Sequence, residues 1–262
     1  MSSELTFEQR KSQWLGHAQR LMDVALEIVG QCDKFDTEKG SQDPKVIALA
    51  LLSRSLGHFR GVPRLLDLGL IVEARTLTRC IFENLFMQGG LAEGGDAFVK
   101  QMVEDAARSR QSRGNWVLSW LEVQNSKSPH EDGLRQTMGL LRARYPKARA
   151  INYADATKGC SIKDAYLWYK QLSSDSAHPS LEALTRYITR QGDGSLLLTV
   201  EAEVTEKDIL DTIEWSCQAL MGVIVGANQI AGPVKAGVKL SGLFDEFLHL
   251  AGVASSAIAP PN

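Results

Sequence analysis

The sequence predicts an all-α protein: a multi-helix bundle around a central apolar helix pair, with one short extended or hairpin excursion near residues 195–204. Three observations carry this expectation. Apolar residues recur at three- and four-residue steps along most of the chain, which is the period of a helix face. Proline, glycine and capping residues fall between the periodic stretches. The predicted helix greatly exceeds the usual third of residues, and Leu196 to Val204 is the one segment with β character.

The first helix is predicted from Phe7 to Cys32, with Trp14, Ala18, Leu21, Ala25 and Ile28 on one face and Thr6 with Gln9 as a capping box. Gly40-Ser41-Gln42-Asp43-Pro44 then reads as a loop ending in an N-cap Asp, with proline in the first helical position. The second helix, Lys45 to Leu68, is dense in apolar residues. Pro63 is expected to kink or divide it, because proline lacks a donor and its ring meets the preceding turn. The third, Ile71 to Gln88, carries Ile71, Ala74, Leu77, Ile81 and Leu85 on one face, widened by Phe82 and Phe86, and is expected to end at Gly89-Gly90. These two helices form the predicted centre.

Further helices are expected at about Asp96 to Val123 and Glu131 to Ala143, followed by an irregular stretch from Tyr145 to Ser161. Ile162 to Leu172 is helical by pattern. Pro179 opens a helix through Ile188, with Ser176 or His178 near its cap, and Gly192-Asp193-Gly194 makes a turn. Thr205 with Asp208 caps the last long helix, which runs to about Ile230, and a short helix spans Leu240 to Leu250. Residues 1–252 read as one all-helical domain and 253–262 as a flexible tail.

Composition narrows the class. The chain has 262 residues, 44% of them hydrophobic and 23% charged, which suffices for a sizeable core without staples. A net charge of −2 provides no overall field for nucleic acid or an anionic membrane. Locally, nine basic residues from Arg108 to Arg149 face three acids, and from Gln191 onward nine acids face three lysines. Solvated or mutually packed faces explain this better than a polyanion site, so nucleic-acid binding through Arg108 to Arg149 is a minor expectation. Cys32, Cys80, Cys160 and Cys217 form no CxxC pair, and neither a zinc ribbon nor a disulfide framework is legible. The start of the chain lacks the pattern of a secretory signal. The longest apolar run, near Ala219 to Ala231, is shorter than the ~20 residues a bilayer requires. A cytoplasmic protein without membrane contact is the expectation.

Two elements carry candidate chemistry. Arg75, Arg79 and Glu83 stand at i, i+4 and i+8 on the third helix, beside its apolar face, so their charged heads lie at the margin of the core. Charges persist there when paired and hydrogen-bonded, as a structural clamp or as a site. The second element is the polar turn after Tyr166-Leu-Trp-Tyr-Lys-Gln-Leu, which holds Ser173, Asp175, His178 and Ser180. His178, next to proline, could serve as a general base or could cap a neighbouring carbonyl.

The pattern Ala74-Arg75-x-Leu77-x-Arg79-x-x-x-Glu83, with Tyr169-x-x-Leu172-Ser173-x-x-x-x-His178-Pro179 downstream, resembles an uncharacterised bacterial all-helical family of unknown function. The resemblance spans roughly Leu49 to Arg190. It implies an all-helical fold with Arg79, Glu83, Ser173 and His178 in one site, and it brings no activity or cofactor. Arg54-Ser-Leu-Gly-His58 is similar to the Arg and His of the HEPN ribonucleases, which act as dimers. Those residues are separated by four to six positions, against three here.

A di-iron reading from Glu246-Phe-Leu-His249, Asp175-Ser-Ala-His178, Glu73 and Glu83 requires ligands from unrelated helices to converge, so no metal is expected. Tyr166-Leu-Trp-Tyr-Lys170 lacks the βαβ context that would give it dehydrogenase meaning, and no cofactor is implied. The preferred function is a small-ligand or partner-binding module. Its pocket would use Arg75, Arg79, Glu83, Ser173 and His178 for a small anionic ligand or a protein partner. The enzymatic alternative is a HEPN-like ribonuclease or other phosphodiester hydrolase, with His58 or His178 as acid/base and Arg54 or Arg79 on the phosphate. A structural subunit self-associating through Phe59, Phe82 and Phe86 is the third.

Overall fold

The computed structural model describes residues 5–32, 37–125, 128–156, 162 and 164–252. The expected tail at 253–262, Cys160 and the last part of the irregular stretch lie outside them. Within the described residues the chain forms α1 (Phe7–Gln31), α2 (Pro44–Asp67), α3 (Ile71–Val123), α4 (Glu131–Arg144), α5 (Tyr153–Ala156), α6 (Ala165–Leu172), α7 (Leu181–Thr185), strands β1 (Ile188–Arg190) and β2 (Leu196–Leu198), then α8 (Glu206–Ala231) and α9 (Leu240–Leu250). The all-α bundle with a single short excursion is therefore the observed architecture. The excursion is an antiparallel hairpin pairing Ile188 with Leu198 and Arg190 with Leu196.

Local chemistry sets the helix starts. Thr6 and Gln9 form a reciprocal capping box on α1, as do Thr205 and Asp208 on α8. Asp43 accepts from the Lys45 N–H in front of Pro44. The cap of α7 is Ser180, which accepts from Ala183 N–H, rather than Ser176 or His178. That helix ends at Thr185, and Ile188 belongs to the hairpin.

Two expected breaks are absent. Helix α2 continues through Pro63. Phe59, Val62 and Leu66 are all buried on both sides of the proline, and this continuous packed face outweighs one missing hydrogen bond close to the helix end. Helix α3 passes through Gly89-Gly90 and breaks at Gly95, whose φ of 48° and ψ of −127° favour glycine. Gly90 is a spacer, because a Cβ there would lie 2.2 Å from the Phe98 ring.

The centre holds three helices rather than two, since α8 packs against both α2 and the first half of α3. Phe82, Phe86, Leu52, Ile81, Leu220 and Ile224 are fully buried there, each contributing about 1.5–3 kcal/mol. Phe59, Phe82 and Phe86 thus belong to the core and offer no self-association surface. Among the described residues α8 is the one helix long and apolar enough to cross a membrane, and most of it lies buried in this core. Beyond Gly95, α3 packs on α4, with Met138 against Gly114 and Gln111 donating to Leu141 O at 3.3 Å, and Trp116, Trp120 and Val123 stay exposed.

Candidate functional site

The π-helical turn Ser173–Ala177 follows α6 and aims Asp175 at α3 and α8. Asp175 is buried, as is Arg75 of α3. Arg75 Nη1 pairs with Asp175, and Nη2 lies 2.7 Å from Asp208 Oδ1. Nε donates to Thr212 Oγ1 at 3.2 Å, and the guanidinium lies 5.5 Å from the Trp215 ring. Arg186, just after α7, spans the same two carboxylates at 2.8 Å from Asp175 and 3.0 Å from Asp208. Two cations and two anions thus close on one another. Burial opposes the charge of Asp208, but hydrogen bonds from Arg186 and Thr205 prevail and hold its pKa well below the usual carboxylate range. Burial likewise opposes the charge of Arg186, and hydrogen bonds to Asp208 and Asp175 raise its pKa further. This is a sealed clamp joining α3, the π turn, α7 and α8. Of its members, Asp175 was read from the sequence as part of the polar turn and Asp208 only as a cap, while Arg186 was not among the candidates.

Arg79, Glu83 and Ser173 come together beside the clamp. Arg79 Nη2 lies 2.7 Å from Glu83 Oε1, Nε donates to Ser173 Oγ at 3.1 Å, and the guanidinium sits 5.5 Å from the Tyr169 ring. Next to them burial pushes the Tyr153 phenol up to about 12. His178 does not join. The residue before proline is held extended, at φ −118° and ψ 139°, and its exposed side chain forms no hydrogen bond or ion pair among the described residues. Its backbone N–H instead donates to Ser173 O at 3.2 Å, closing the π turn. On α2, Arg54 Nε donates to His58 Nε2 at 3.3 Å, and burial, followed by the Arg54 charge, lowers the His58 pKa. Of the basic stretch, Arg135 is taken up by Glu122 and Glu131, and Arg142 by Asn115.

A groove of about 650 Å³ lies among α3, α6, α8 and α9. Glu214, Gln218, Gly222, Val225 and Gln229 line it at three- and four-residue steps, a second, half-exposed face of the core helix. Leu85, Trp168, Met221, Phe244 and Phe247 supply apolar walls. Helix α9, which carries the two phenylalanines, is tied to α1 by Arg20, whose Nε donates to Glu246 Oε2 at 3.1 Å. Gln88 lines the groove and is 1% exposed. Its amide donates to the carbonyls of Ala48 and Val223, while Oε1 has no partner among the described residues. Sequence reasoning missed this groove. Its trace was Glu214, an acid followed along α8 by an otherwise uncharged apolar run.

Fold and site together define an all-helical bundle protein with a closed charge clamp and an open apolar groove, each built in part from its core helix α8. By sequence the chain belongs to the family of unknown function DUF5677, whose match spans residues 45–195. The resemblance to an uncharacterised family is thereby borne out. No curated protein and no solved structure matches the chain. The family region contains Arg75, Arg79, Glu83, Asp175 and Arg186, while Asp208 and the groove face of α8 lie beyond it.

Proposed function

We propose that this protein is a small-ligand-binding module whose site is the groove between α3, α6, α8 and α9. The carrying observation is the groove itself, a cavity of about 650 Å³ with aromatic and aliphatic walls and few polar groups. That combination of size and lining is the usual character of a small-molecule site. The Arg79 cluster supports an anion site less well, because its cation is already met by Glu83, Ser173 and Tyr169. The described cysteines, Cys32, Cys80 and Cys217, are free thiols, which supports a reducing compartment such as the cytoplasm.

The test is binding of an uncharged polarity-sensitive dye, competed by octanol. The wild-type chain is expected to enhance the dye's fluorescence. The groove-filling substitution Val225→Trp, at a position 45% exposed, is expected to abolish that signal without lowering the thermal midpoint. Equal dye binding by both proteins would sink the assignment.

The Arg54–His58 contact favours a second reading, a ribonuclease in which a largely neutral His58 accepts a proton beside the phosphate-binding Arg54. Its check is cleavage of a single-stranded RNA by the wild type and its loss in His58→Ala.

A further inference from the structure

We infer that the ligand of this groove is an apolar cation, an alkyl or aryl ammonium; the inference rests on the binding reading above. Every charged group among the described lining residues is a carboxylate: Glu93 of α3, Asp164 before α6 and Glu214 of α8. None of the three side chains forms a hydrogen bond or ion pair among the described residues, whereas nearby carboxylates such as Asp208 and Glu246 are paired.

Glu214 matters most of the three. It is half-buried on the same stripe as Gln218, Gly222 and Val225, in a cavity that also holds Trp168 and Phe247. Its closest cationic influences are Lys207, which is taken up by Asp211, and Arg10, and neither pairs with it. Burial therefore dominates and raises its pKa above the usual carboxylate value. An unpaired carboxylate inside apolar walls is unfavourable, and a cation beside it relieves the penalty. Trp168, Phe244 and Phe247 add ring faces and edges, and an ammonium close to an aromatic face gains further attraction. An anion would meet three carboxylates and no compensating cation from the described lining.

The chemistry expected is thus a primary to quaternary ammonium carrying an aliphatic or aromatic body. The body fills the space between Leu85, Met221 and Phe244, and the charge sits against Glu214.

The experiment is calorimetric titration of the full chain at pH 7 with three probes of equal length, octylammonium, octanol and octanoate, repeated with Glu214→Gln. Octylammonium is expected to bind about tenfold more tightly than octanol, a difference of ~1.4 kcal/mol, and octanoate more weakly than both. Glu214→Gln is expected to remove most of the ammonium preference, bringing the affinity for octylammonium close to that for octanol. Equal affinity for all three probes, or a preference for octanoate, overturns the cation inference and leaves the groove reading intact. Binding of none overturns both. An ammonium preference that survives unchanged in Glu214→Gln removes Glu214 as the recognising group, and Glu93→Gln and Asp164→Asn then decide between recognition by the rim and rejection of the cation inference.

Discussion

Asp208 and Glu214 are two acids on one helix, less than two turns apart, and they have opposite fates. Asp208 turns into the clamp and receives Arg75, Arg186 and the Thr205 cap. Glu214 turns into the groove and receives no partner among the described residues. Both are removed from water, so desolvation penalises both. What differs is whether cations from distant helices were brought alongside. A buried carboxylate with its partners is architecture, and one without them is the basis of the proposed cation recognition. The first pKa falls and the second rises from the same starting penalty.

The largest test of this contrast is Arg75→Met. Removing the buried cation leaves Asp175 and Asp208 to share Arg186 alone, two carboxylates against one guanidinium, and the expected loss is about 3–5 kcal/mol in urea unfolding. A loss below ~1 kcal/mol would show that the clamp is not sealed. Acid titration comes next. Asp208 has a depressed folded pKa, so its contribution is fully present above its ordinary value of 3.8 and is lost as pH falls further. Asp208→Asn should therefore be less stable than wild type at neutral pH and should converge on it in strong acid.

Thr205→Ala, which removes one member of the α8 capping box, is expected to cost about 1 kcal/mol. It should also weaken the acid dependence, because the hydroxyl holds Asp208 Oδ2 at 2.8 Å. The smallest effect has the opposite sign. Glu214 has a raised folded pKa, so its ionised form destabilises near pH 7, and the penalty fades as pH falls toward its ordinary 4.5. Glu214→Gln should raise neutral-pH stability slightly, by about 0.5 kcal/mol, and should flatten the gain that the wild type shows as pH falls toward 4.5. A fall in stability would mean that Glu214 has a partner after all.

Helix starts were legible because capping is local: Thr6 with Gln9, Asp43 with Pro44 and Thr205 with Asp208 lie within three residues of their partners. Helix ends were read less well. Pro63 and Gly89-Gly90 break isolated helices, and here packing on both sides overrides them. The i, i+4 pair Arg79 and Glu83 was visible for the same local reason as the caps. Arg75 could be placed at the core margin, but Asp175 and Asp208 reach it across 100 and 133 residues, and no periodicity carries that information. His178 was drawn into the site by its neighbours in sequence, whereas Pro179 fixes it extended and away from them. The groove exists through the spacing of four helices, so a single helix face could not reveal it.

The π turn at Ser173–Ala177 gives chain length a meaning of its own. Such a turn holds one residue more than the α-helical winding it replaces, so it behaves as an insertion absorbed without a loop. Deleting Ser174 would restore ordinary winding and swing Asp175 roughly 100° about the axis, out of line with both guanidinium groups. Within these five positions a lost residue should therefore do more harm than a changed one, and a shift in frame rather than a substitution marks the limit of what this fold can accept.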